Sequence, residues 1–374
     1  MKQDTVMQNG DESKYKYVFV CGLQRSGTSM LGRNIARLEN CTGFKNTGVL
    51  QDEGQYLQDV YPPDAAYGGT GRYGFDPRAH LTGTSDLLTP ENVARLRASW
   101  HAYWDSSKTI CVEKTPGNLI MTRFLQAAFP NSYFVILQRH PVAVSLATQR
   151  WKVSLTAIHR LFEHWLQCYG IVEEDKKYLE RVYHLKYEDY IKNPGKYHQE
   201  IAAFIGTRVP EPPKEDRFRY VTQWPNPMGL RVPERTMEEV TATHNEKYFD
   251  RWHRLLTKSP SKVYYRYVAQ KYESRFAKYG YSLVTGLGVD RQLLREGKIS
   301  MALGRFCCLA ADARALMQRF NARTPSYIKG KVKAILPEFL IVKIRRAGQR
   351  ASLNQNKADP ATPKSNAEVS WPAK

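Results

Sequence analysis

The sequence is poor in cysteine and in acidic residues, and it has no long apolar run. Six cysteines, at 21, 41, 111, 168, 307 and 308, are spread over 374 residues, and no pair has CxxC spacing. Structural zinc and a disulfide framework are therefore not indicated. Cys21 and Cys111 fall inside apolar, strand-like runs and read as buried, reduced thiols, which fits a cytoplasmic compartment. No stretch of about 18 uncharged apolar residues occurs, so a membrane-spanning helix is not expected. The first 17 residues are polar and charged, unlike the apolar core of a signal peptide. Asp and Glu number 36 against 56 Lys and Arg, a net charge of +20. That excess favours an anionic partner without naming it: nucleic acid, acidic lipid, anionic glycan or a phosphorylated cofactor.

What is present is the patterning of an α/β protein. Lys16 to Cys21 is a short apolar run that ends at Gly22, as a buried strand would. A Gly/Ser/Thr loop follows, and then apolar residues at 30, 31, 35 and 38 with helical spacing. Thr109–Val112, Tyr133–Leu137 and Val182–Leu185 read as further strands, with helix-like sequence from Leu119 to Ala128 and from Pro141. The stretch 40–101, rich in Gly, Pro, Asp and Tyr, reads as loops with short helices. Strands alternating with helices predict a three-layer, P-loop-like parallel sheet flanked by helices. From 286 to 374 there are 17 Lys/Arg and 6 Asp/Glu, so more than half of the net charge lies in the last quarter. The expected organisation is a disordered start (1–16), a main domain (17–284), a basic, mostly helical extension (285–350) and a disordered tail (351–374).

Gly22-Leu-Gln-Arg25-Ser26-Gly27-Thr28-Ser29, between a strand and a helix, is a loop that can cradle phosphate with backbone N–H groups and a helix N-terminus. It is not a Walker A loop, because Thr28 stands where the lysine should follow the second glycine. A P-loop kinase or NTPase is thereby disfavoured. A basic nucleic-acid or membrane-surface binding protein is the other alternative, but RNA-recognition and helix-turn-helix signatures are not evident.

Gly-x-x-Arg-Ser-Gly-Thr-Ser after a strand resembles the 5′-phosphosulfate loop of sulfotransferases that use 3′-phosphoadenosine 5′-phosphosulfate (PAPS). Two more segments resemble that family, in its order: Gln138-Arg139-His140-Pro141 to Ser145, its 3′-phosphate element, and Leu185-Lys186-Tyr187-Glu188-Asp189-Tyr190, its Tyr-Glu-Asp segment. The resemblance spans 17 to about 284. It implies that Gly22, Arg25, Ser26, Gly27, Thr28 and Ser29 hold the 5′-phosphosulfate, Arg139 and a helical hydroxyl the 3′-phosphate, and Tyr187 the adenine, with no metal. The family's usual serine falls at 147, which is Ala here, leaving Ser145 or Thr148; three apart on a helix, they share a face. Glu113-Lys114-Thr115-Pro116 matches a segment of glycan-directed members whose lysine approaches the sulfuryl group. Such relatives also place a Glu after the first helix, which suggests Glu53 as general base, with Asp52 its nearest competitor and His101 the nearest histidine. Arg25, Glu53 and Lys114 are thus the candidate catalytic residues, and a carbohydrate hydroxyl the expected acceptor. The segment 327–350, with seven Lys/Arg, one Glu and an apolar centre divided by Pro337, could contact an anionic membrane peripherally.

Overall fold

The computed structural model describes residues 14–151, 156–211, 219–220, 235–236, 245–287, 289–294 and 297–323. Of the expected disordered start (1–16), residues 1–13 lie outside the described residues, as do the segment 327–350 and the tail 351–374, while Lys16 opens the first strand. The chain divides into two compact units, Met1–Asp312 and Ala313–Lys374. Of the second, only residues 313–323 are described.

The first unit is built on five parallel strands. In chain order these are β1 (Lys16–Cys21), β2 (Cys41–Gly43), β3 (Ile110–Glu113), β4 (Ser132–Gln138) and β5 (Val182–Lys186). They lie in the spatial order β2-β3-β1-β4-β5. In register, Phe19 of β1 stands beside Glu113 of β3 and Phe134 of β4. Strand β1 is central and buried on both faces, which is why its run Lys-Tyr-Val-Phe-Val-Cys does not alternate with polar residues.

Successive side chains of a strand point to opposite faces, and the core divides accordingly. Phe19, Cys21, Phe134 and Ile136 join a cluster with Trp100, Phe129, Trp165 and Tyr169. Val18, Val20, Val135 and Leu137 face Leu31, Ile35, Tyr190 and Ile201 on the other side. Each such side chain, when fully buried, contributes about 1.5–3 kcal/mol. The layers come from α1 (Thr28–Ile35), α2 (Pro90–His101), α3 (Thr122–Ala128), α4 (Pro141–Trp151), α5 (Ile158–Asp175), α6 (Tyr187–Lys192) and α7 (Pro194–Ile205). Two more helices, α8 (Glu246–Thr257) and α9 (Lys262–Ala277), pack with α5 through Trp252, Phe276 and Phe162. Helix α10 spans Lys298–Arg323. The two residues 219–220 pair antiparallel with 235–236.

The three-layer α/β expectation holds. Strand β2 went unpredicted, because three residues, Cys-Thr-Gly, show no periodicity. Between β2 and α2 the chain runs through short 3-10 turns at 50–52, 54–56, 64–67, 73–75 and 77–79. Helix α2 then starts at Pro90 behind an N-cap from Thr89, whose hydroxyl accepts the Asn92 N–H.

Candidate active site

The loop after β1 lies at the carboxyl end of the central strand, where open parallel sheets hold their ligands. A side chain at Gly22 would meet the Leu137 carbonyl 2.6 Å away, so the loop leaves the sheet pressed against β4. Ser26 is buried and donates its hydroxyl to the Leu23 carbonyl at 2.5 Å. Arg25 and Gly27 have left-handed φ angles of 72° and 102°, and Arg25 is exposed at the surface of the turn. Gly27 is the N-cap of α1, and its carbonyl accepts the N–H groups of Met30 and Leu31. The amides of Thr28 and Ser29 therefore have no acceptor within the helix and sit at its positive end.

Tyr187 lies directly beneath the loop, with its ring carbons 2.7 Å from where a Cβ on Gly27 would be. The Arg139 guanidinium lies 4.0 Å from the centroid of that ring. Arg139 also donates to the Arg25 carbonyl at 2.9 Å through Nη1, and to Asn245 Oδ1 through Nε (3.2 Å) and Nη2 (2.6 Å). Arg139 and Tyr187 are thus buried braces under the loop. Glu188 completes the bracing: it accepts the His140 N–H at 2.9 Å and the Tyr281 hydroxyl at 3.1 Å. Asn245 had no sequence signal, since a lone Asn at a helix start reads as a cap.

Ser145 and Thr148 share a face of α4, as their spacing implied. Both line one small cavity with Leu23 and Gln24 of the loop and His164 of α5. Ser145 Oγ is buried there without a hydrogen-bond partner. His164 accepts the Gly74 N–H through Nε2, and burial pushes its pKa down to about 3, so it stays neutral at physiological pH.

A second cluster stands at the end of β3. Lys114 Nζ lies 3.1 Å from Glu53 Oε1 and donates to the Gln51 carbonyl at 3.2 Å. Gln55 donates to the other oxygen, Glu53 Oε2, at 2.7 Å. The stem of Lys114 lies against Gly32 of α1, which joins this cluster to the helix that follows the glycine loop. The two side chains are about one-tenth exposed, at 10% and 8%. Asp52 is not part of this pair; its Oδ1 accepts the Thr47 N–H and hydroxyl. His101 bonds Tyr17 near the start of β1, at the opposite end of the strand from the loop.

Glu113 links the two halves of this cluster. Fully buried, it accepts the Gly54 N–H at 2.9 Å, the Thr115 hydroxyl at 2.5 Å and the Asn118 side-chain amide. It thereby fixes the residue after Glu53 to the residue after Lys114. Burial pushes its carboxyl up to about 7, a rise limited by its bonds to Thr115 and Gly54 and by the Lys114 charge. Glu113 had no sequence signal beyond its place in the Glu-Lys-Thr-Pro segment. Among the described residues no group of three or more His, Cys, Asp or Glu could hold a metal.

A glycine loop at the end of the central strand of a parallel sheet, with the buried Arg139 bonded to its Arg25 carbonyl, defines a P-loop-like α/β protein. The sulfotransferase family profile matches residues 18–211, more than half of the chain, and the chain belongs to that family. Among solved structures it is similar to the sulfotransferase domain of the Synechococcus PCC 7002 olefin synthase, with 18% identity, 54% of this chain and 77% of that one covered, and a TM-score of 0.34. It is also similar to sulfotransferase STF1 from Mycobacterium tuberculosis H37Rv (16% identity, 52% and 68% covered, TM-score 0.35). A sulfotransferase from Alicyclobacillus acidocaldarius matches at 14% identity over 75% of this chain and 99% of that one, with a TM-score of 0.37. A search of curated proteins returned no match.

Proposed function

We propose that this sulfotransferase takes PAPS as donor and a carbohydrate hydroxyl as acceptor. The observation that carries the reading is the buried Lys114–Glu53 pair, packed through Gly32 onto the helix whose N-terminus forms the phosphate loop. A cation for the moving group and a carboxylate for the acceptor proton then stand beside the loop.

The donor supplies an activated sulfuryl group, and the chain's task is positioning and charge stabilisation. Arg25 and the amides of Thr28 and Ser29, with the turn at Gly22, Ser26 and Gly27, would hold the 5′-phosphosulfate and offset charge gathering on the leaving phosphate oxygen. Arg139 has five guanidinium N–H groups and three of them are engaged, which leaves donors for a 3′-phosphate. The unpartnered Ser145 hydroxyl, with Thr148 beside it, suits the same phosphate. Tyr187 would border the adenine. Lys114 would turn from Glu53 toward the sulfuryl oxygens, and Glu53 would take the acceptor hydroxyl's proton. In balance, the bond from sulfur to the phosphate oxygen breaks, a bond from sulfur to the acceptor oxygen forms, and adenosine 3′,5′-bisphosphate leaves. No metal is needed in this scheme, because fixed cations do the neutralising. The six free cysteines are compatible with a cytoplasmic setting.

The test is a thermal-shift scan with adenosine 3′,5′-bisphosphate, ATP and a short RNA, followed by label transfer from PAPS to sugar, phenol and tyrosine-peptide acceptors. Stabilisation by the bisphosphate alone, with label on a sugar, is the expected result. Stabilisation by ATP or RNA instead would overturn the donor assignment, and label on phenol or peptide would overturn the acceptor.

A further inference from the structure

Among the described residues, eight large hydrophobic side chains stand exposed, and four of them lie on α10: Ile299 (87%), Leu303 (50%), Phe306 (66%) and Leu309 (59%). Their spacing of four, three and three puts them on one face of the helix. The opposite face is already engaged. Gly304 backs onto Tyr267, Cys308 is buried, and Asp312 accepts from His159 at 3.0 Å and from Arg160 at 2.7 Å. The helix is therefore anchored by one side, and its apolar stripe faces away from the body of the first unit. Lys298 and Arg305, both exposed, lie along one border of the stripe at 100° per residue. Asp312, the one acidic residue of the helix, is held by His159 and Arg160.

We propose that this face of α10 docks on an anionic phospholipid membrane. An apolar stripe with a basic border matches an interfacial helix: the apolar side chains enter the headgroup–acyl boundary while the lysine and arginine stems reach the phosphates. Charge decides among the possible occupants. The chain carries +20 and the stripe is bordered by the exposed Lys298 and Arg305, so a second copy would bring like charge to the same face. A nucleic acid would satisfy the charge but leave Phe306 and Leu303 in water. An anionic bilayer satisfies both. The inference stands independently of the donor and acceptor assignments.

The experiment is co-sedimentation of the full chain with phosphatidylcholine vesicles, with and without phosphatidylglycerol, at low and high salt. Three proteins are compared: wild type, Leu303→Glu/Phe306→Glu and Lys298→Ala/Arg305→Ala. The altered side chains are exposed, and unchanged melting temperatures verify the folds. Wild type is expected to bind only the phosphatidylglycerol vesicles, less so at high salt. The glutamate pair should lower partition at least tenfold, and the alanine pair should weaken it and flatten its salt dependence. Wild type left in the supernatant at low salt overturns the proposal, as does equal binding by the glutamate pair. A wild-type dimer that the glutamate pair turns into a monomer, without vesicle binding, assigns the face to a second copy instead.

Discussion

Replacing Gly27 by alanine should damage both stability and donor binding, and the structure separates two causes. At φ 102° an L-residue is strained, by about 1–2 kcal/mol. The new methyl would also stand 2.7 Å from two carbons of Tyr187. That ring is 1% exposed and has the Arg139 guanidinium 4.0 Å from its centroid, so it cannot swing aside cheaply. Overpacking of this kind costs about 1–3 kcal/mol more. The sum, roughly 2–5 kcal/mol, corresponds to a fall of about 3–8 °C in melting temperature for a unit of this size. Relief by lifting the loop would displace the Thr28 and Ser29 amides, so affinity for adenosine 3′,5′-bisphosphate should fall at least tenfold, about 1.4 kcal/mol. Gly48→Ala is the control: its φ of 84° is also left-handed, but a Cβ there meets nothing within 4 Å. It should show the conformational cost alone and leave bisphosphate affinity intact. The assay is differential scanning fluorimetry with and without the bisphosphate. If Gly27→Ala is no worse than Gly48→Ala in both readouts, the role assigned to the Tyr187 contact is wrong.

Glu53→Gln should leave bisphosphate binding intact and slow label transfer from PAPS about 10²- to 10⁴-fold, whereas Asp52→Asn, whose carboxylate serves Thr47, should stay near wild type; the reverse outcome in steady-state assays would name Asp52 as the base. Arg25→Ala, at an exposed position, should keep its melting temperature and lose turnover roughly 10- to 150-fold. Arg139→Ala should melt lower and also bind the bisphosphate less well, because it strips donors from the Arg25 carbonyl and Asn245; calorimetry of both variants separates the two cases. Glu113→Gln should destabilise more at pH 5 than at pH 8. The folded carboxyl titrates near 7 against an ordinary 4.5, so the unfolded chain ionises first and wild type loses up to about 3 kcal/mol as pH rises through that window; urea titrations giving the same difference at both pH values would refute this.

Local patterns written in consecutive residues were legible, and juxtapositions made by the fold were not. The run from Lys16 to Cys21 announced a buried strand because its side chains are apolar on both faces, and the glycines after it announced the tight turn into α1. Strand β2 escaped because three residues cannot display a period; it exists because Cys41–Gly43 can pair with the edge of β3. The Lys114–Glu53 contact joins residues 61 apart, and only Lys114 sat in a recognisable segment. Its partner was reached by family resemblance, and the fold distinguishes it from Asp52 by directing each to a different neighbour. Arg139 shows the limit most clearly. Its place after β4 was readable, and the resemblance of its segment to a 3′-phosphate element implied a phosphate ligand. The fold also makes it a brace, stacked on Tyr187 and tied to the Arg25 carbonyl, and that second duty depends on three segments of the chain meeting. A phosphate bound at Arg139 would therefore act on the loop that carries Arg25 through a single side chain, so the two ends of the donor should bind cooperatively. Adenosine 5′-phosphosulfate, which lacks the 3′-phosphate, should then lose more affinity than the missing phosphate contacts alone account for.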